Sequence, residues 1–259
     1  MIIVFSGTGN SLAVARELQR HIGGDIVELK GETLRRPSSA TITLAGFEET
    51  KEGENPRVED VVWVFPVYSW GLPPVVERFM REVKIRGAYQ ARHYMVCTCG
   101  DDVGRTHKQW RMVIGRRGWH PRAAWSVEMP NTYVLMKGFD VDPRDLEERK
   151  LAAMPARVTE IVEAMRRGSD ADDVVKGAGA FFKSAMIYPV FKRLCMSPKG
   201  FHTTADCTSC GLCARSCPME NITMADRHPV WGPSCALCLR CYHICPSHAV
   251  AYDLSLIHI

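Results

Sequence analysis

No apolar run in this chain reaches the ~18 residues that a membrane-crossing helix needs, and no secretory signal opens it. Both absences set the expectation of a cytoplasmic protein without a transmembrane segment. The chain has no G-K-[ST], which excludes a nucleotide P-loop. It has no G-x-G-x-x-G either, so a dinucleotide fingerprint fails and direct NAD(P)H oxidation is disfavoured. Neither sign of charge dominates: 33 Lys and Arg stand against 29 Asp and Glu, a formal net charge of +4. At 259 residues and 46% hydrophobic, the chain has room for one large or two smaller globular domains.

What it has in abundance is cysteine, 11 residues in all. Cys207, Cys210, Cys213 and Cys217 read C-x2-C-x2-C-x3-C-P, and Cys235, Cys238, Cys241 and Cys245 repeat it. Pro218 and Pro246 turn the chain after each run. This is the spacing of bacterial two-cluster [4Fe-4S] ferredoxins. Three thiolates in a tight loop curl around one face of a cluster, and the fourth crosses to the other. Cys207, Cys210, Cys213 and Cys245 are therefore expected on one cluster, and Cys217, Cys235, Cys238 and Cys241 on its twin. Gly211 sits in the first loop, with Ala236 and Leu237 expected in its place in the second. Disulfides would need an oxidising compartment. Zinc sites pair C-x2-C units across longer spacers, often with histidine. His202, His228, His243 and His248 are expected to shape solvation around the clusters rather than ligate iron. Each oxidised cluster carries about −2 with its thiolates, which cancels the basic balance and removes any argument for nucleic acid. Such cysteines imply a reducing cytoplasm in an anaerobe.

The N-terminus reads strand, glycine-rich turn, helix. Residues 1–5 are a buried-strand run, residues 6–11 are S-G-T-G-N-S, and Leu12, Ala15, Leu18 and Ile22 carry helical spacing. That arrangement points backbone N–H groups at a phosphate. Ser6, Thr8, Gly9, Asn10 and Ser11 offer neutral hydrogen-bonders and no Lys or Arg, which suits one terminal phosphate. The plainer reading is a strand-to-helix turn capped by Asn10 or Ser11. A second buried strand at 61–65 ends in Pro66, Val67, Tyr68, Ser69, Trp70 and Gly71, with a helix from Pro74 to Glu82. A third, at 94–97, ends in Thr98, Cys99, Gly100 and Asp101.

Taken with the double cysteine motif, these loops resemble the flavodoxin–ferredoxin fusion proteins of anaerobic bacteria and archaea, over nearly the whole chain. The resemblance implies a flavodoxin-like, doubly wound parallel sheet followed by a small α+β two-cluster ferredoxin domain. It implies FMN, held through its phosphate by residues 6–11. Tyr68 or Trp70 would stack on the ring, Gly71 would turn a carbonyl to the flavin N5, and Thr98 to Asp101 would meet the pyrimidine side. Cys97 and Cys99 are expected to pack near the flavin, and Cys195 to be a buried apolar residue.

Elsewhere, 105–122 is expected as a basic, partly helical surface stretch with Trp110, Val113 and Ile114 inward, and docking of an acidic redox partner there stays open. A last strand is expected at 124–129, with residues 129–133 leaving it near the flavin. A long helix at 145–167 should break or bend at Pro155. Residues 33–59 read as a variable loop with one weak strand at 41–44. Phe181, Phe182, Ala185, Met186 and 189–194 form an apolar connector that packs the domains together or touches a membrane surface. The expected domains are 1–168, 169–202 and 203–253, with 254–259 resembling a translated adapter fragment. The ferredoxin part is too small for its own core, so its clusters must staple it. These readings point to an electron-transfer protein working with unidentified redox partner proteins, without an assigned catalytic residue. A flavin-dependent reductase of a small electrophile (a quinone, nitro compound or metal complex) and a redox sensor remain as alternatives.

Overall fold

The computed structural model describes residues 1–47, 59–136 and 138–252. Much of the expected 33–59 loop and the whole suspected tail lie outside the described residues. Five strands make one parallel sheet: β1 (Ile2–Val4), β2 (Ile26–Glu28), β4 (Val61–Pro66), β6 (Arg92–Cys99) and β7 (His120–Glu128). Two short strands, β3 (Thr41–Thr43) and β5 (Lys84–Arg86), pair in parallel beside it. The order β2-β1-β4-β6-β7, with every neighbour parallel, is the flavodoxin-like 2-1-3-4-5 order when the five are counted along the chain. The direction of winding reverses at β1 and β4, so the fold's ligand crevice lies beyond the carboxyl ends of those two strands.

Side chains alternate between the two faces, as the pleat demands. Ile3, Phe5, Trp63, Phe65, Met95 and Cys97 face one core, with α3 (Pro74–Glu82) and α4 (Thr106–Arg116). Ile2, Val4, Val62, Val64, Tyr94 and Val96 face the other, with α1 (Asn10–Ile22) and α5 (Arg144–Arg166). Both faces are covered, which is why the strands read as unbroken apolar runs. Trp110, Val113 and Ile114 are buried as expected, but α4 stops at Arg116. Gly118, at φ 73°, turns the chain, and β7 begins at His120. The helix α5 runs through Pro155 unbroken. Pro155 and Leu151 are both on its exposed side, where water serves the carbonyl that the proline cannot. A strand missing from the sequence reading, β2, and a one-turn helix α2 (Glu32–Arg35) complete this half.

The connector is helical throughout: α6 (Ala180–Phe182) and α7 (Tyr188–Val190) alternate with π-helical turns at Lys183–Ile187 and Phe191–Cys195. One stripe, Ser184, Tyr188 and Phe191, is buried. Most of the apolar residues expected to pack there, Phe181, Phe182, Met186, Val190 and Leu194, are exposed instead. Cys195 is half-buried rather than buried. Beyond it, β8 (Phe201–Thr203) pairs with β11 (Val250–Tyr252), and β9 (Ile222–Ala225) with β10 (His228–Trp231), all antiparallel. The helices α8 (Leu212–Ser216) and α9 (Arg240–His243) follow the two cysteine loops. Phe201 stacks on Trp231 at 5.5 Å and meets Tyr252 edge-on at 4.7 Å, which gives this small segment a minimal core. Among the described residues no helix is long and apolar enough to cross a membrane.

Candidate functional site

The two cysteine loops repeat each other in backbone as well as in sequence. Positive φ falls at Ser209 and Leu237, at Gly211 and Leu239, and at Glu220 and His248. Each pair holds the same place relative to its cysteines. The counterpart of Gly211 is thus Leu239, not Ala236 or Leu237 as expected. Leu239 takes φ 60° in spite of its side chain, a strained conformation that the loop geometry imposes.

Cys207, Cys210, Cys213 and Cys245 line one cavity, together with Gly211, Leu212, Pro246 and Val250. Cys217, Cys235, Cys238 and Cys241 form the second group, with Cys217 close enough to act on Cys235, Cys238 and Cys241 alike. Burial first, and then those neighbours, pushes Cys235 and Cys238 up to about 12 and Cys241 to about 11. Thiolates so placed call for bound cationic charge, and metal binding would release their protons. Backbone N–H groups already aim at the sulfurs: Asn221 at Cys217 Sγ (3.5 Å), Ala249 at Cys245 Sγ (3.3 Å) and Leu237 at Cys235 Sγ (3.3 Å). Such bonds stabilise charged sulfur and tune cluster potential. Among the described residues no three His, Cys, Asp or Glu side chains converge as a single metal ion would require. A cubane asks for something wider, since each thiolate takes a different iron. Four cysteines around a cavity, with N–H donors on the sulfurs, fit that group.

The loop at 6–11 lies at the carboxyl end of β1. Ser6 and Ser11 are buried, Ser6 Oγ accepts from Gly9 N–H at 3.2 Å, and Gly9 takes φ 119°. The first turn of α1 carries no acidic residue and no side-chain cap, so its N-terminal N–H groups suit an anion. Neither Asn10 nor Ser11 serves as the cap. Asn10 Nδ2 donates to the Pro130 carbonyl at 2.9 Å, and Ser11 Oγ meets Thr98 Oγ1 at 2.8 Å. The expected residues of the first and third loops, and the exit of β7, are therefore brought together, and the uncapped backbone N–H groups opening α1 fit a terminal phosphate.

The middle loop is arranged differently from the expectation. Tyr68 and Gly71 bridge each other across Ser69 and Trp70, both at positive φ, in a tight two-residue turn. The Gly71 carbonyl accepts the Tyr68 N–H at 2.9 Å, and the space a Cβ would fill is taken by the Tyr188 ring. Gly71 thus serves the turn and the connector. Trp70 faces the connector too: the Lys183 ammonium lies 4.9 Å from its ring, and Ser184 Oγ donates to its carbonyl at 2.8 Å. Tyr68 turns the other way. Burial, then the Cys238 and Cys235 thiols, raises its phenol well above the ordinary range. The Val67 N–H is held by the Thr98 carbonyl at 2.8 Å, and Pro66 closes β4. Asp101 is exposed. Cys97 and Cys99 are buried; burial raises Cys97 well above its usual value and Cys99 to about 12, so both stay protonated.

Two groups were missed in the sequence. Lys150 and Asp142 form a buried pair at 2.6 Å, with Lys150 Nζ also on the Gly100 carbonyl at 2.7 Å and Asn131 bonded to Asp142. This network pins the 98–101 loop to the 129–133 segment. Arg240, between Cys238 and Cys241, reaches the Gly7 carbonyl at 3.0 Å. A lone basic residue inside an otherwise neutral cysteine loop was the signal available for it.

The cysteine-rich segment docks on the crevice itself. A Cβ built on Gly7 would stand 2.7 Å from Cys238 Cβ. Gly31 N–H donates to the Pro218 carbonyl at 2.7 Å, Arg35 pairs with Glu220 at 2.7 Å, and His243 Nε2 lies 2.7 Å from the Thr132 carbonyl. Cys217 and Cys238 pack against the same core as Phe5 and Trp63.

Comparison with known proteins adds to this in part. No curated protein matches the chain. The Trp repressor binding protein from Bacillus subtilis is 13% identical, with 61% of this chain and 97% of that one covered at a TM-score of 0.35. Azoreductase AzrA is 11% identical, with 62% and 98% covered at 0.34. The sheet is defined by its strand order. Residues 206–252 match the 4Fe-4S dicluster domain family, which makes the cysteine-rich segment an iron–sulfur domain.

Proposed function

We propose that this protein is a cytoplasmic electron carrier of the flavodoxin–ferredoxin fusion type, with two [4Fe-4S] clusters in its C-terminal domain and FMN in the crevice of its sheet. Each cluster exchanges one electron and the flavin one or two, so the pair would interface one- and two-electron partners. Cys207, Cys210, Cys213 and Cys245 would hold one cluster, and Cys217, Cys235, Cys238 and Cys241 the other. Residues 6–11 would hold the phosphate, with Thr98 to Asp101 beside it. The observation that carries the reading is the contact of Cys238 with Gly7, which sets a candidate cluster ligand directly against the candidate phosphate loop. Tyr68, packed against Cys235 and Cys238, would stand between the two sites and exclude water from the path.

Anaerobic purification with iron, sulfide and flavin quantitation tests this. About eight irons and one FMN per chain are expected, with rapid electron exchange between them on partial reduction. A chain that binds FAD or no flavin overturns the N-terminal half of the reading. One saturable small acceptor, among a panel otherwise reduced slowly and indiscriminately, would replace the carrier with a reductase.

A further inference from the structure

The loop at 6–11 contains no Lys or Arg. The structure brings a cation to it from the other domain. Arg240 extends from the second cysteine loop, and its Nη1 donates to the Gly7 carbonyl at 3.0 Å. Its Nε is buried and has no hydrogen-bond partner among the described residues. A buried, unpartnered guanidinium N–H is costly to keep. With Nη1 engaged, the free edge of the fork is Nε with Nη2, the edge that grips two oxygens of a phosphate side by side. The backbone on either side is fixed by Cys238, jammed against Gly7, and by Cys241, while Leu239 holds φ 60°.

We propose that Arg240 is a ligand of the flavin phosphate, supplied in cis by the iron–sulfur domain. The guanidinium completes an anion cradle otherwise built from backbone N–H groups and hydroxyls. Its position depends on the loop that carries Cys235, Cys238 and Cys241. Retention of the phosphate is thereby tied to the fold of that loop, and the flavin is held most firmly when the nearer cluster site is assembled. The chemistry recognised is a phosphomonoester dianion. This rests on the FMN reading above and deepens it.

The test uses cluster-loaded protein from which flavin has been reversibly removed, in wild-type form and as Arg240→Ala and Arg240→Lys. FMN, riboflavin and inorganic phosphate are titrated separately, with iron measured in each preparation. Arg240→Ala is expected to weaken FMN about tenfold to a hundredfold while riboflavin moves by less than about twofold. Arg240→Lys should recover part of the loss, since it keeps the charge and loses the fork. Equal losses for FMN and riboflavin, or no loss, overturn the proposal while leaving the flavin reading intact. Wild-type protein that binds neither flavin defeats the flavin reading itself, and phosphate binding without FMN binding makes the cradle a site for free anions. If Arg240→Ala loses iron, Arg240→Lys decides: a loss confined to FMN at full iron content supports the assignment, and an unchanged FMN preference sinks it.

Discussion

Gly7 and Gly9 stand two residues apart in one loop, and each is a glycine for a different reason. Gly7 has no room for a Cβ, which would meet both Cys238 Cβ at 2.7 Å and the Cys238 carbonyl oxygen at 2.8 Å. Backbone cannot swing away as a side chain can, so Gly7→Ala must part the two domains locally. Gly9 has open space but φ 119°, which costs any L side chain about 1–3 kcal/mol. Both alanine variants should lose comparable stability, yet their other readouts should differ. Gly7→Ala is expected to lower iron content and slow cluster-to-flavin exchange, measured by rapid mixing. Gly9→Ala should weaken flavin binding and leave iron intact. Identical profiles would mean that the Gly7–Cys238 contact is without functional weight.

Titration at the residue scale centres on His93, fully buried within β6. Its Nδ1 accepts from Trp63 Nε1 at 3.0 Å, which leaves Nε2–H to donate to the Ala88 carbonyl at 3.0 Å. The ring is thus held neutral, and burial lowers its pKa from 6.5 to about 4. Between those values the unfolded chain binds a proton that the folded chain refuses. Stability from this group is complete above pH ~6.5 and declines as pH falls toward ~4, by at most about 1.4 kcal/mol per pH unit. His93→Gln should start less stable but lose less between about pH 7.5 and about pH 5.5, as read from urea midpoints. Parallel slopes for the two proteins would show that the histidine does not couple folding to protonation.

Among the elements, the connector illustrates how one helix can hold two domains by a single stripe. Tyr188 donates its hydroxyl to the Leu72 carbonyl at 2.6 Å and lays its ring on Gly71, while Phe191 meets Tyr133 edge-on at 6.2 Å in the iron–sulfur domain's core. Tyr188→Phe removes a buried hydrogen bond and should cost about 1 kcal/mol. Phe182→Ser, on the exposed side, should stay within about 0.5 kcal/mol. Urea denaturation of both variants distinguishes a packed stripe from an indifferent one. The split also explains what could be read ahead. Buried parallel strands such as β4 and β6 are continuous apolar runs, and the cysteine spacing is dictated by cluster chemistry, so both were legible. The strand β2 is three residues at a sheet edge, Ile26–Glu28, too short for periodicity to register. The direction in which Tyr68 and Trp70 turn, and the reach of Arg240 to Gly7, depend on partners far along the chain. No local pattern encodes such contacts.

At the scale of the whole molecule, the two domains share a core. Met219 and Ala236, from the iron–sulfur domain, are buried in the cluster of side chains that contains Phe5, Leu34 and Trp63. Gly31, Arg35, Gly7 and Thr132 each bond across the same boundary. The C-terminal domain, with a core of only a few side chains such as Phe201, Ile222, Leu237 and Val250, should lose its fold when an iron chelator strips its clusters under reducing conditions. The sheet keeps its helices on both faces and should survive, but with the carboxyl ends of β1 and β2 uncovered. Losing Met219 from the core costs about 1.5–3 kcal/mol, which for a unit of this size lowers Tm by roughly 3–12 °C. Far-UV circular dichroism before and after chelation should therefore give one transition in the loaded protein and, in the stripped protein, a smaller transition displaced downward, with FMN released earlier on heating. A sheet transition unmoved by chelation would mean that the two domains fold independently, and that the boundary serves only to set the distance between their cofactors.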